Sequence, residues 1–161
     1  MNLCLVRHAI AVDRGSAYID DRARPLTPEG RKRMAEGARG LKRLFRAEGI
    51  YSSPLLRARQ TAEILAETFE LKVRLLDALG NGDHPGTLAA CASHGDESVF
   101  LVGHEPWMGE LLSLLLTGDA GAMSVVFKKG AAALVATAGA PAAGNGILEW
   151  MAPPSMLRRQ A

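Results

Sequence analysis

Four consecutive apolar residues, Leu3-Cys4-Leu5-Val6, stop abruptly at Arg7-His8. The run is too short for a helix and shows no polar alternation. It fits a strand covered on both faces, as in the middle of a parallel sheet. The carboxyl ends of such strands open into the crevice where α/β proteins bind ligands. Arg7 and His8 fall at that end. Arginine offers a permanent charge on a planar fork of donors that matches phosphate. Histidine can serve as nucleophile or proton carrier near neutral pH. A single Arg-His dipeptide often merely leaves a strand for solvent, so its meaning depends on what else reaches the same edge.

The following segments alternate between strand and helix signals. A polar loop spans residues 9–26, long enough for a compact domain to suggest a function. Thr27-Pro28 reads as an N-cap followed by proline at the first helical position. Met34, Ala38, Leu41 and Phe45 then form a buried stripe, and Gly49 is expected to end that helix. Residues 50–52 read as a second strand, with Ser53-Pro54 starting a second helix whose buried stripe is Ala58, Ala62, Leu65 and Phe69. Residues 72–76 suggest a third strand, 80–86 a loop, 87–93 a short helix, and 98–102 a strong strand ending at Gly103-His104. A helix over 105–116 follows. Strands are expected at 123–127, 131–137 and 147–151, with Lys128-Lys129-Gly130 as a hairpin turn. The alternation predicts an α/β fold with a largely parallel sheet.

Composition limits the alternatives. A length of 161 residues suits one domain, and a net charge of +2 gives no argument for nucleic acid or an anionic membrane. Two cysteines, Cys4 and Cys91, make neither a disulfide framework nor zinc spacing. No signal peptide is visible and no segment approaches the roughly 20 apolar residues of a membrane span, so the cytoplasm is the expected location.

Arg7-His8, Arg57 and His104 occupy equivalent places in three successive strand units. Each lies just past a strand or in the first turn of the next helix, and a parallel sheet brings such positions to one edge. Helix N-termini aimed at that edge favour anions. A neutral imidazole can attack phosphorus and carry the phosphoryl group covalently. Arginine forks can hold its equatorial oxygens. With arginines and His104 supplying the positive field, no metal or other cofactor is expected.

The blocks Leu5-Val6-Arg7-His8-Ala9, Ser52-Ser53-Pro54-Leu55-Leu56-Arg57-Ala58-Arg59-Gln60-Thr61-Ala62 and Val102-Gly103-His104-Glu105-Pro106 resemble the three signatures of the histidine phosphatase superfamily, which includes cofactor-dependent phosphoglycerate mutases. The segment Asp21 to Gly30 further resembles the short bacterial phosphohistidine phosphatases, as does a chain with no room for the mutases' lid insertions. The resemblance covers about residues 3–150. It implies a three-layer, phosphoglycerate mutase-like sandwich, a mostly parallel mixed sheet flanked by helices. A single histidine phosphatase domain would occupy residues 1–152, with 153–161 a loosely held tail. It implies His8 as nucleophile, with Arg7, Arg57 and His104 on the phosphoryl group. Members acting on phosphate monoesters commonly take a proton donor from a segment between the second and third blocks. Asp83 is the candidate, with Asp77 and Glu105 as alternatives; Asp83 also fits a turn residue bonded to its own backbone. Arg24 either contacts phosphate or braces its loop. Where the superfamily often has glycine after the nucleophile, this chain has Ala9.

The expected activity is metal-independent phosphatase chemistry through a phosphohistidine intermediate, on phosphohistidine in a signalling protein. Alternatives are a small-molecule phosphomonoesterase of the same superfamily and a non-catalytic phospho-ligand binding module. A metal hydrolase using His8, Asp13, His84 and His104 ranks last, since these show no recognised ligand spacing. The expected partner is a phosphorylated histidine-containing protein or a small phosphomonoester, with no nucleic acid or membrane, and a monomer or weak dimer.

Overall fold

The computed structural model describes residues 1–15 and 20–161. Residues 16–19, in the middle of the long polar loop, lie outside the described residues.

Strands β1 (Asn2–Arg7), β2 (Gly49–Ser52), β3 (Val73–Leu75), β4 (Ser98–Gly103), β5 (Ala132–Thr137) and β6 (Gly146–Ala152) form one six-stranded sheet in the order β3-β2-β4-β1-β5-β6. The first four are mutually parallel, and β5 is antiparallel to both neighbours. The apolar run of β1 is fully buried because both sheet faces are covered. Cys4 and Val6 pack against α1 (Pro28–Leu44), α2 (Leu56–Phe69) and α6 (Pro154–Arg159). Leu3 and Leu5 face α3 (Ala78–Asn81), α4 (His84–Ser93) and α5 (Trp107–Thr117) on the other side. The period-2 alternation of a strand thus divides one hydrophobic run between two cores. Thr27 caps α1 as its sequence suggests, accepting from the Gly30 N–H at 2.9 Å. Among the described residues, no helix is long and apolar enough to cross a membrane.

Several local expectations are overturned. Helix α1 ends at Leu44, and Gly49 instead opens β2, where a Cβ would come within 2.6 Å of an Asp96 carboxylate oxygen. Residues 80–86 are not simply loop: α3 and α4 meet there, with Asp83 as the N-cap of α4. Residues 123–127 form no strand, so Lys128-Lys129-Gly130 is a turn leading into β5 and not a hairpin. The chain beyond Pro153 is not loose. It forms α6, whose Leu157 is buried against α1. The contact is close enough that a Cβ on Gly40 would lie 1.9 Å from the Leu157 carbonyl oxygen.

Candidate active site

The carboxyl ends of β1, β2 and β4 lie side by side, and the chain enters β5 beside them. A cavity of about 350 Å³ opens there, lined by Arg7, His8, Asp13, Arg14, Arg24, Arg57, His104, Glu105 and Lys129.

His8 follows β1 directly and is buried. Its Nδ1 pairs with the Ala9 carbonyl at 2.7 Å. A carbonyl can only accept, so Nδ1 carries the hydrogen and the Nε2 lone pair is left free. The Ala9 N–H donates to Thr61 Oγ1 at 3.0 Å, and that hydroxyl donates to the Arg57 carbonyl at 2.7 Å. These bonds tie the backbone after His8 to the helical turn that carries Arg57. Ala9 itself is packed in the core.

Arg7 donates from Nη1 to the Phe127 carbonyl at 2.6 Å. Arg57, in the first turn of α2, gives Nη1 to the Asp21 carbonyl at 2.7 Å and Nη2 to Asp21 Oδ2 at 3.0 Å. His104 places Nε2 2.8 Å from Ser53 Oγ. That hydroxyl also accepts from the Leu55 N–H at 3.3 Å, so its own proton is available to Nε2, with the imidazole hydrogen then on Nδ1. The His8 and His104 rings stand 5.1 Å apart between centroids. Arg7 Nε, Arg57 Nε and His104 Nδ1 are buried and make no hydrogen bond among the described residues. Buried donors are normally paired, and charged ones are costly to leave unpaired. All three belong to residues that line one cavity, and such a cluster of donors suits the oxygens of an anion.

Asp21 organises the cations. Its Oδ1 accepts from Arg24 Nε at 2.8 Å and from the exposed Arg14 at 3.0 Å, while Oδ2 and the carbonyl hold the end of the Arg57 fork. The side edge of that fork, with Nε, is thereby left for another partner. Partial burial pulls the Asp21 carboxyl upward, but the Arg24 hydrogen bond and the Arg57 and Arg24 charges outweigh it and bring its pKa to about 2. Arg24 also donates to the Val12 carbonyl at 2.5 Å. It therefore braces the loop and lines the cavity at once.

Burial lowers His8 from an ordinary 6.5 to about 3, helped by the charges of His104, Arg57 and Arg7 and opposed by the Ala9 hydrogen bond. Burial and Arg57 likewise bring His104 to about 3. Both imidazoles are therefore neutral at neutral pH. The sign for stability follows: unfolding lets both rings take up protons, so their contribution is full above about pH 6.5 and is lost as pH falls toward 3. In ¹H–¹⁵N spectra of the imidazoles, His8 and His104 are expected to keep neutral-ring shifts from pH 7.5 down to 5. A midpoint near 6.5 for either ring contradicts this electrostatic account.

Asp83 does not join this group. Its Oδ1 accepts from the Gly86 N–H at 2.9 Å as the cap of α4, and the residue is not part of the cavity lining. Its short side chain is committed to its own helix. Asp77 precedes α3 and is also outside the lining. Glu105 is inside it. Burial raises the Glu105 carboxyl above its ordinary value, with the Glu110 charge adding and the Gly109 N–H and Arg7 opposing. Oε2 accepts that Gly109 N–H at 2.8 Å. His84 pairs with Glu110 at 3.1 Å, outside the cavity lining. Among the described residues, no group of three His, Cys, Asp or Glu side chains is arranged to hold a metal ion.

Ser53, Thr61 and Asp21 are functional neighbours that motif reading missed. Ser53 looked like a helix cap, yet α2 begins at Leu56 without a side-chain cap and Ser53 serves His104 instead. The i, i+3 spacing of Asp21 and Arg24 was a usable local signal. The Asp21–Arg57 pair, 36 residues apart, left no such trace.

Comparison with known proteins agrees with this geometry. A family model described as histidine phosphatase superfamily (branch 1) matches residues 3–85. An uncharacterized protein of Picosynechococcus sp. is 38% identical over 138 residues, covering 75% of this chain and 76% of that protein. Phosphohistidine phosphatase SixA of Escherichia coli is 29% identical over 170 residues, covering 98% and 97%. The structure of protein histidine phosphatase SixA complexed with tungstate superposes with a TM-score of 0.81 at 28% identity, covering 98% of this chain and 99% of that chain.

Proposed function

The chain belongs to the histidine phosphatase superfamily, and from that premise we propose that it dephosphorylates phosphohistidine in a signalling protein, without a metal, through a covalent phosphohistidine on His8. The observation that carries this reading is a neutral, buried His8, its Nε2 left free, lining the same cavity as Arg7, Arg57 and His104, whose Nε, Nε and Nδ1 have no partner among the described residues. His8 Nε2 attacks phosphorus and forms the new N–P bond as the bond to the departing substrate nitrogen breaks. The three donors hold the equatorial oxygens as their charge redistributes. Water then attacks the phosphorylated imidazole. The His8 N–P bond breaks, inorganic phosphate leaves with the water's oxygen and protons, and neutral His8 is restored.

Similarity to SixA supports phosphohistidine as the substrate class, and its complex with tungstate suggests that oxyanion as an inhibitor here. The expected result is phosphate release from a phosphohistidine peptide, unaffected by chelator and blocked by tungstate. Release from alkyl phosphates but not from the peptide overturns the substrate.

Glu105 favours a second reading, a small-molecule phosphomonoesterase. Burial raises the Glu105 carboxyl above its ordinary value, the direction that suits a donor of a proton to a leaving alkoxide. An imidazole leaving group is a weaker base and needs less help. Glu105→Gln is therefore expected to cut kcat/KM on alkyl phosphates by about 10²-fold and on a phosphohistidine peptide by less than about threefold. Equal losses on both substrates remove Glu105 from the role of donor.

A further inference from the structure

The Lys128-Lys129 turn stands outside the chemistry above, yet it is built into the site. The Gly130 N–H is shared between the carbonyls of Arg7 and His8, at 3.0 and 3.1 Å. The Ala131 N–H closes the turn on the Lys128 carbonyl at 2.8 Å, and Arg7 holds the Phe127 carbonyl from the other side. Gly130 has φ +78°, a left-handed conformation that suits glycine and lets the turn lie flat against β1. The two lysines it lifts are exposed, and neither side chain makes a hydrogen bond or ion pair among the described residues.

Lys129 borders two spaces. One is the catalytic cavity. The other is a small recess of about 40 Å³ with Ile10, Met34 and Pro154 on its walls and Arg33 and Arg158 at its rim. Arg33 is paired with Glu29 and Arg158 with Glu36, so the lysine is the uncommitted charge. A cation on a mobile loop would be an ordinary solvated residue. Here the backbone anchor of Gly130 on the carbonyls of Arg7 and His8 sets where the lysines leave the chain relative to the catalytic cavity.

We propose that Lys128 and Lys129 dock an acidic stretch of the phosphoprotein, flanking the phosphohistidine that enters the cavity. The proposal rests on the phosphohistidine reading and adds the character of the sequence around the target. Charge complementarity selects an acidic partner.

Three synthetic phosphohistidine peptides test it, with Asp and Glu, Asn and Gln, or Lys flanking the target. At low ionic strength the protein is expected to favour the acidic over the neutral peptide by about 3- to 10-fold in kcat/KM, falling toward unity in about 0.5 M salt. In Lys128→Gln/Lys129→Gln the ratio should drop to about one. In Lys128→Glu/Lys129→Glu the Lys peptide should become the preferred substrate, a reversal that structural damage does not produce. Because each ratio is internal to one protein, general loss of activity cancels. Equal rates on all peptides in the unmodified protein overturn the docking and leave the phosphohistidine reading intact. So does a preference that survives in both variants. Hydrolysis of none of the peptides removes both.

Discussion

Replacing His8 by alanine is expected to lower kcat by about 10⁴- to 10⁶-fold with the fold retained. The substitution removes Nε2, and the phosphoryl group must then pass directly to water. Arg7, Arg57 and His104 still surround it, so a residual rate above the uncatalysed one should remain. The buried run of β1 is untouched, and circular dichroism should match the parent protein. The companion measurement is chemical. Quenched turnover of the parent should leave acid-labile, base-stable phosphate on His8, and the variant should carry none. A variant with full activity sinks the nucleophile assignment outright.

Arg57→Ala should give the second largest loss, about 10²- to 10³-fold in kcat/KM, as for removal of a preorganised donor from a charge-developing site. Its guanidinium does two jobs on two edges. The end of the fork is bound by Asp21, and the side edge with Nε is buried and has no partner among the described residues. Lysine cannot reproduce this, since it has one flexible ammonium and no second edge. Arg57→Lys should therefore recover less than about tenfold of the loss. Asp21→Asn should fall between variant and parent, because the amide keeps an acceptor for Arg57 but removes the charge shared with Arg24 and Arg14. Tungstate inhibition, measured alongside, should weaken in the same order. An Arg57→Ala protein within threefold of the parent rules out the phosphate-holding role.

Parts of this site are legible in the chain because parallel topology converts sequence position into spatial position. Arg7 ends a strand and His8, Arg57 and His104 each follow one closely, and the register of β1, β2 and β4 brings those ends together. The long buried stripes of α1 and α2 were readable for a similar reason, a period repeated over several turns. What local pattern could not show is competition between equally local options. Ser53 has the chemistry of a cap but lies within reach of His104. Asp83 has the chemistry of an acid but caps α4. Residues 123–127 are strand-like in composition but pair with no strand of the sheet, and whether a strand finds a partner is not written in its own residues. Helix α6 is short, and it packs where Gly40 lets α1 approach the Leu157 backbone closely, a tertiary fact.

The reversed direction of β5 has a consequence for how such a pocket can diversify. β4, the other neighbour of β1, reaches the pocket as an exit and delivers His104 directly after its last paired residue, Gly103. The segment between α5 and β5 reaches it as an entrance, bringing irregular chain over residues 118–131 to the rim before the strand begins. Lengthening an exit displaces the reacting groups. Lengthening the entrance upstream of the Gly130 anchor reshapes the mouth while the sheet register stays as it is. Residues 118–126 are thus the graft point from which a scaffold of this kind can acquire new substrates without rebuilding its chemistry.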